Sequence, residues 1–78
     1  MARISDLRSG QVGKVVNFIG GNGYYRQRLI SEGIVPGALF KVQWIAPLGD
    51  PIVVHLLKDK HSFSIRATEA EIVEVELN

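Results

Sequence analysis

Leu29-Ile30-Ser31-Glu32-Gly33-Ile34-Val35-Pro36-Gly37-Ala38 leads a helix into a strand with almost no residue to spare. With Gly33 in the left-handed position that follows a helix, Ile34 falls at C″ and Leu29 at C3, the two sites whose apolar contact accompanies a Schellman ending. Val35-Pro36-Gly37-Ala38 then suits a type II turn, with Pro at its second position and Gly at its third, feeding directly into a strand. Upstream, Tyr25 and Leu29 stand four apart, as do Arg28 and Glu32, so the helix should begin near Tyr24 and could carry an Arg28–Glu32 pair. Gly20-Gly21-Asn22-Gly23 separates that helix from a first strand over 12–19, since glycines cluster where φ must be positive. Ahead of the strand, Ser5 is placed to cap a short turn through Asp6-Leu7-Arg8, which Ser9-Gly10 ends.

Downstream, residues 39–45 alternate: Phe40, Val42 and Trp44 share one face and Lys41 and Gln43 the other. Ala46-Pro47-Leu48-Gly49-Asp50-Pro51 should be a stiff loop, because its prolines fix φ. Residues 52–57 are apolar on both faces except at His55, as in a mid-sheet strand, and Lys58-Asp59-Lys60 connects them to Ser62-Phe63-Ser64-Ile65-Arg66 as a hairpin. Thr68-Glu69-Ala70-Glu71 has capping-box spacing. The last strand turns Val73, Val75 and Leu77 inward and Glu74 and Glu76 to water. The pattern predicts an all-β fold, a small SH3-like barrel of about five strands with a short helix in the long first connection, and one domain over residues 1–78.

A chain of 78 residues makes at most one domain and buries only about 60% of the surface its unfolded form exposes. Without Cys it has neither disulfides nor a thiolate zinc site, which leaves tight β-packing or self-association to stabilise it, and a homo-oligomer is one expectation. Met1-Ala2-Arg3-Ile4-Ser5-Asp6 lacks a signal-peptide core and no run approaches the ~20 apolar residues of a membrane span, so the expectation is a cytoplasmic protein not inserted in the membrane. The net charge of +1 is too small for a protein whose main task is neutralising phosphates, and no nucleic-acid partner is expected. A nucleic-acid-binding small barrel remains the competing class. The charge is polarised: Arg3, Arg8, Lys14, Arg26 and Arg28 face only Asp6 in the first thirty residues, whereas Glu69, Glu71, Glu74 and Glu76 have no base among the last ten.

No nucleophile stands in an elbow motif and no acid–base set is recognisable, so neither a catalytic residue nor a cofactor is expected. His55 and His61, with Asp59 between them, could meet across the hairpin as a weak metal site; the plainer reading is a structural His55 and a solvated His61. The glycine loop opens a helix, but Arg26 stands where a dinucleotide fingerprint needs glycine. Tyr24, Tyr25, Arg26 and Arg28 combine aromatic and guanidinium groups on one short helix, a composition enriched at binding hot spots. An arginine finger for a GTPase is a further use of such arginines.

Three stretches taken together resemble the FeoA family: Arg28 to Gly37, Ala46 to Ile52, and Ile65-Arg66 with Glu69-Ala70 and the strand 72–75. The order Arg-Leu, Gly-Ile, Pro-Gly, Ala-Pro-Leu-Gly-Asp-Pro, Ile-Arg, Glu-Ala follows that family's pattern, while Gly21-Asn22-Gly23-Tyr24-Tyr25 lies outside it. The resemblance implies an SH3-like accessory protein of ferrous iron uptake that works beside FeoB, a membrane transporter with a cytoplasmic GTPase domain. It brings no catalytic residues. The expected partner surface combines Tyr24, Tyr25, Arg26, Arg28 and Leu29 of the helix with Pro47, Leu48, Gly49, Asp50 and Pro51 of the loop. Gly33, Pro36, Gly37, Thr68 and Glu71 are expected as turns and caps.

Overall fold

Alternating apolar residues form strands here because each strand covers one face of a shared core. In the computed structural model, which describes residues 2–78, those strands are β1 (Ala2–Arg3), β2 (Val12–Phe18), β3 (Leu39–Ile45), β4 (Ile52–Leu56), β5 (His61–Ile65) and β6 (Val73–Leu77). They make one antiparallel sheet in the order β1-β6-β2-β3-β4-β5. The two-residue β1, paired with β6 through Ala2–Val75 and Arg3–Glu74, is the strand that pattern alone did not reveal. Helix α1 (Gly23–Glu32) fills the long connection between β2 and β3, and the four-residue α2 (Ala67–Ala70) lies between β5 and β6.

The core is aliphatic around two phenylalanine rings: Phe40, Phe63, Val42, Val54, Ile65, Val73 and Val75 come from the strands, and Leu29 and Ile34 from α1 and its exit. Gly13 on β2 shows how tightly it closes. A Cβ there would sit 2.9 Å from Phe40 Cζ and 3.0 Å from the Glu76 carbonyl oxygen, so this strand position admits the ring only by having no side chain.

The device at the end of α1 forms as expected. Gly33 has φ +109°, its N–H donates to the Ile30 carbonyl at 3.0 Å, and the Ile34 N–H donates to the Leu29 carbonyl at 2.9 Å. Ala38 N–H closes the following turn on the Val35 carbonyl at 3.0 Å, with Gly37 at φ +92°. At the helix start Asn22 is the cap, its Oδ1 accepting from the Tyr25 N–H at 2.9 Å.

Two caps differ from expectation. The first turn spans Ile4–Asp6 as a 3-10 helix, so Ser5 lies inside it, and the Asp6 carboxylate accepts from the Arg3 N–H at 2.9 Å. Likewise the capping carboxylate of α2 belongs to Glu69, which accepts from the Arg66 N–H at 2.8 Å; Thr68 and Glu71 are exposed. In both cases a carboxylate three residues along outcompetes a hydroxyl that the chain has already drawn into the turn.

Two inward assignments also fail, for geometric reasons. Val42 pairs with Val54 but Trp44 pairs with Val53, so Gln43 is an extra residue on β3. That bulge turns Trp44 to the opposite face, where it is 51% exposed. Leu77, opposite Gly13 at the end of β6, runs beyond the core and is exposed.

Candidate functional site

Helix α1 positions its charged residues by holding Leu29 fully buried and Tyr25 packed against the core, which leaves Arg28 and Glu32 on a flank beside β5. They do not pair with each other. Arg28 Nη1 donates to both carboxylate oxygens of Glu69, at 3.0 and 2.9 Å, and its Nη2 donates to the Ser64 carbonyl at 2.9 Å. Glu69 is 1% exposed, and together with the Arg66 N–H these bonds give both oxygens of a carboxylate enclosed by the protein a hydrogen-bond partner. Glu32 instead meets His61 Nε2 at 2.9 Å, and His61 stacks on Phe63 with ring centroids 5.3 Å apart.

The loop 46–51 is fixed from within and from outside. Ala46 N–H donates to the Pro51 carbonyl at 3.0 Å, Gly49 N–H donates to the Ala46 carbonyl at 2.7 Å, and Asp50 Oδ1 accepts from the Ala67 N–H, the first residue of α2, at 3.2 Å. Restrained on both sides, it holds Leu48 in water at 96% exposure. Helix α2 therefore anchors both halves of the expected partner surface, α1 through Arg28–Glu69 and the loop through Asp50–Ala67. Within that surface Tyr24, Pro47 and Leu48 are exposed, Tyr25 is half-buried and Leu29 is core. Arg26 folds back, its Nε donating to the Gly20 carbonyl at 2.9 Å.

Glu69 and Ser64 are the partners that sequence reading missed. The available signal was the pair of charged motif positions, Arg28-Leu29 and Glu69-Ala70, of opposite sign and 41 residues apart.

The two histidines do not converge. His55 pairs with Ser62 and Leu56 with His61 across the hairpin, so the imidazoles lie on opposite faces of it. His55 Nδ1 is 2.7 Å from Ser62 Oγ. Among the described residues no three histidine, aspartate or glutamate side chains gather as a metal-ligand group.

A groove of about 430 Å³ opens where the turn after α1 meets the β4–β5 turn. Val35, Pro36, Ala38, Leu39 and Leu56 supply its apolar walls, and Lys58 and Asp59 its rim.

Comparison with known proteins gives a consistent result. The model of the FeoA domain matches residues 2–77. The solution structure of the FeoA protein from Chlorobium tepidum is 34% identical, with a TM-score of 0.86 over 97% of this chain and 70% of that one. A crystal structure of an iron uptake regulatory protein (FeoA) is 31% identical, with a TM-score of 0.82 over 99% of this chain and 96% of that one. The zinc complex of FeoA from Stenotrophomonas maltophilia, described as a procaryotic SH3 domain protein, shares the fold at 24% identity and a TM-score of 0.81, over 97% of this chain and 91% of that one. The sheet described above is thus an SH3-like one.

Proposed function

Because the chain belongs to the FeoA family, associated with ferrous iron transport, we infer that it is an accessory protein of bacterial ferrous iron uptake that binds FeoB at its cytoplasmic face and shifts the transporter's conformational balance. The observation that carries this reading is the family match across residues 2–77. The protein acts as one domain, in the cytoplasm, by contact and not by catalysis. No helix among the described residues is long and apolar enough to cross a membrane, which suits a partner that docks on a transporter from outside the bilayer.

The docking surface in this reading is the one anchored by α2. Leu48 and Tyr24 are large apolar side chains held in water on restrained backbone, the arrangement that binds with least loss of conformational freedom. Arg28, by contrast, acts from behind: its guanidinium is committed to Glu69 and Ser64, so it sets the position of α1 against α2.

The test is binding of the purified protein to FeoB in lipid nanodiscs, together with ferrous iron uptake in a strain lacking the protein. Leu48→Ser and Tyr24→Ser should weaken binding about tenfold or more each if these residues are hot spots. Absence of binding at any accessible concentration, with uptake unchanged in the deletion strain, would remove the proposal.

A further inference from the structure

We propose that the groove between the turn after α1 and the β4–β5 turn is a second binding surface, for a short acidic peptide segment that inserts apolar side chains. The proposal stands apart from the docking surface of Tyr24 and Leu48 and does not depend on FeoB being the partner there.

Two independent features of the groove point to this occupant. Its walls are apolar and open to solvent: Val35 and Leu39 line it and are exposed, as is Leu57 beside them, held there by its N–H donating to the Leu39 carbonyl at 3.0 Å. Its surroundings are basic. The chain has four lysines, and all four lie around Leu39 and the hairpin turn. Lys14 stands directly opposite Leu39 on β2. Lys41 follows Leu39 on the same outer face of β3, a separation of about 7 Å along a strand. Lys58 forms the rim, and Lys60 closes the turn that carries it.

Every one of these lysines is exposed, and neither the Arg28–Glu69 ion pair nor the His61–Glu32 contact involves one. Asp59 on the rim and Glu76 opposite Lys14 offset only part of that charge. A protein whose net charge is only +1 thus has one lysine on the rim of this apolar recess and its other three on the strand positions and the turn that flank Leu39 and Lys58.

The shape selects between anionic partners. A lipid surface is met by projecting side chains, whereas Leu56 at the base of this groove is buried and Leu39 stands in its wall. The bases are mobile ammonium groups, suited to steering a flexible carboxylate-bearing chain without fixing one register. At about 430 Å³ the recess has the size of a binding cleft, yet it offers no converging set of buried polar groups to orient a small molecule.

The experiment is an NMR titration of the intact protein with a six-residue peptide of alternating leucine and glutamate. Saturable shifts should be confined to the amides of Gly33, Leu39, Leu56, Lys58 and Asp59. Analogues with lysine for glutamate, or serine for leucine, should bind at least about tenfold more weakly. Lys41→Glu with Lys58→Glu should weaken the parent peptide about tenfold, since an exposed ion pair is worth up to about fivefold. Both substitutions are on the surface, and an unchanged spectrum away from the groove verifies the fold. Four results would overturn the proposal: no saturable shift, equal binding of the lysine analogue, capture of the groove by phosphatidylserine vesicles in preference to the peptide, or sedimentation showing the groove covered by a second copy in the free protein.

Discussion

Arg28 and Glu32 stand one turn apart on the same helix, and each reaches another element to make a polar contact of 2.9 Å. Their surroundings differ. Arg28 meets a carboxylate that is 1% exposed and holds it with two bonds, whereas Glu32 and His61 meet in water, at 32% and 47% side-chain exposure. Distance therefore says little about what such a contact contributes. Burial decides it, because the carboxylate inside the protein has no solvent to fall back on.

The largest expected effect tests this difference directly. Arg28→Met leaves Glu69 with only the Arg66 N–H and should cost about 3 kcal/mol, the lower end for a broken buried pair because Arg28 itself is 35% exposed. Equilibrium urea unfolding measures it. Adding Glu69→Leu to that variant should recover part of the loss, since no charge is then stranded; a double variant as unstable as the single one would show that the bonds matter and not the orphaned charge.

Gly33→Ala comes next, at about 1–2 kcal/mol, because a side chain at φ +109° is strained and its Cβ would lie 2.7 Å from Leu56 Cδ1. The same substitution moves the end of α1 and so should weaken the Glu32–His61 contact more than the Arg28–Glu69 one, which chemical shifts of the two regions would report. Smaller still, His61→Ala should change stability by less than about 1 kcal/mol. A loss comparable with Arg28→Met would contradict the contrast drawn between the pairs. Least of all, Leu48→Ser should leave the thermal midpoint nearly unchanged, since at 96% exposure the side chain supports nothing in the core.

The exit from α1 was legible because its interactions are local. Gly33, Ile34, Pro36 and Gly37 act on neighbours within a few residues, so spacing alone places them. The hairpin and the restrained loop were legible for the same reason. The bulge at Gln43 was not, because an extra residue on β3 is defined only against β4, and with it went the assignment of Trp44. The α2 cap passed from Thr68 to Glu69 because the Glu69 carboxylate serves Arg66 and Arg28 at once, and Arg28 comes from 41 residues away.

The candidate surfaces divide in the same manner. Tyr24 and Leu48 could be named from composition and turn chemistry, but their common anchoring on α2 depends on Arg28–Glu69 and Asp50–Ala67, contacts between segments distant in sequence. The lysines at 14, 41, 58 and 60 look scattered along the chain. They gather around Leu39 only when β2, β3 and the β4–β5 turn are brought side by side.

An all-β plan with a short helix, the helix exit, the turn into β3, the stiff loop and the family likeness were readable from the order of residues. The register, the inward or outward course of Trp44 and Leu77, the partners of Arg28 and Glu32, and the groove rimmed by Lys58 and Asp59 emerged with packing. Range separates the two sets: capping and turn geometry act within a few residues, while a bulge, a buried carboxylate and a groove exist only once distant segments have been packed against one another.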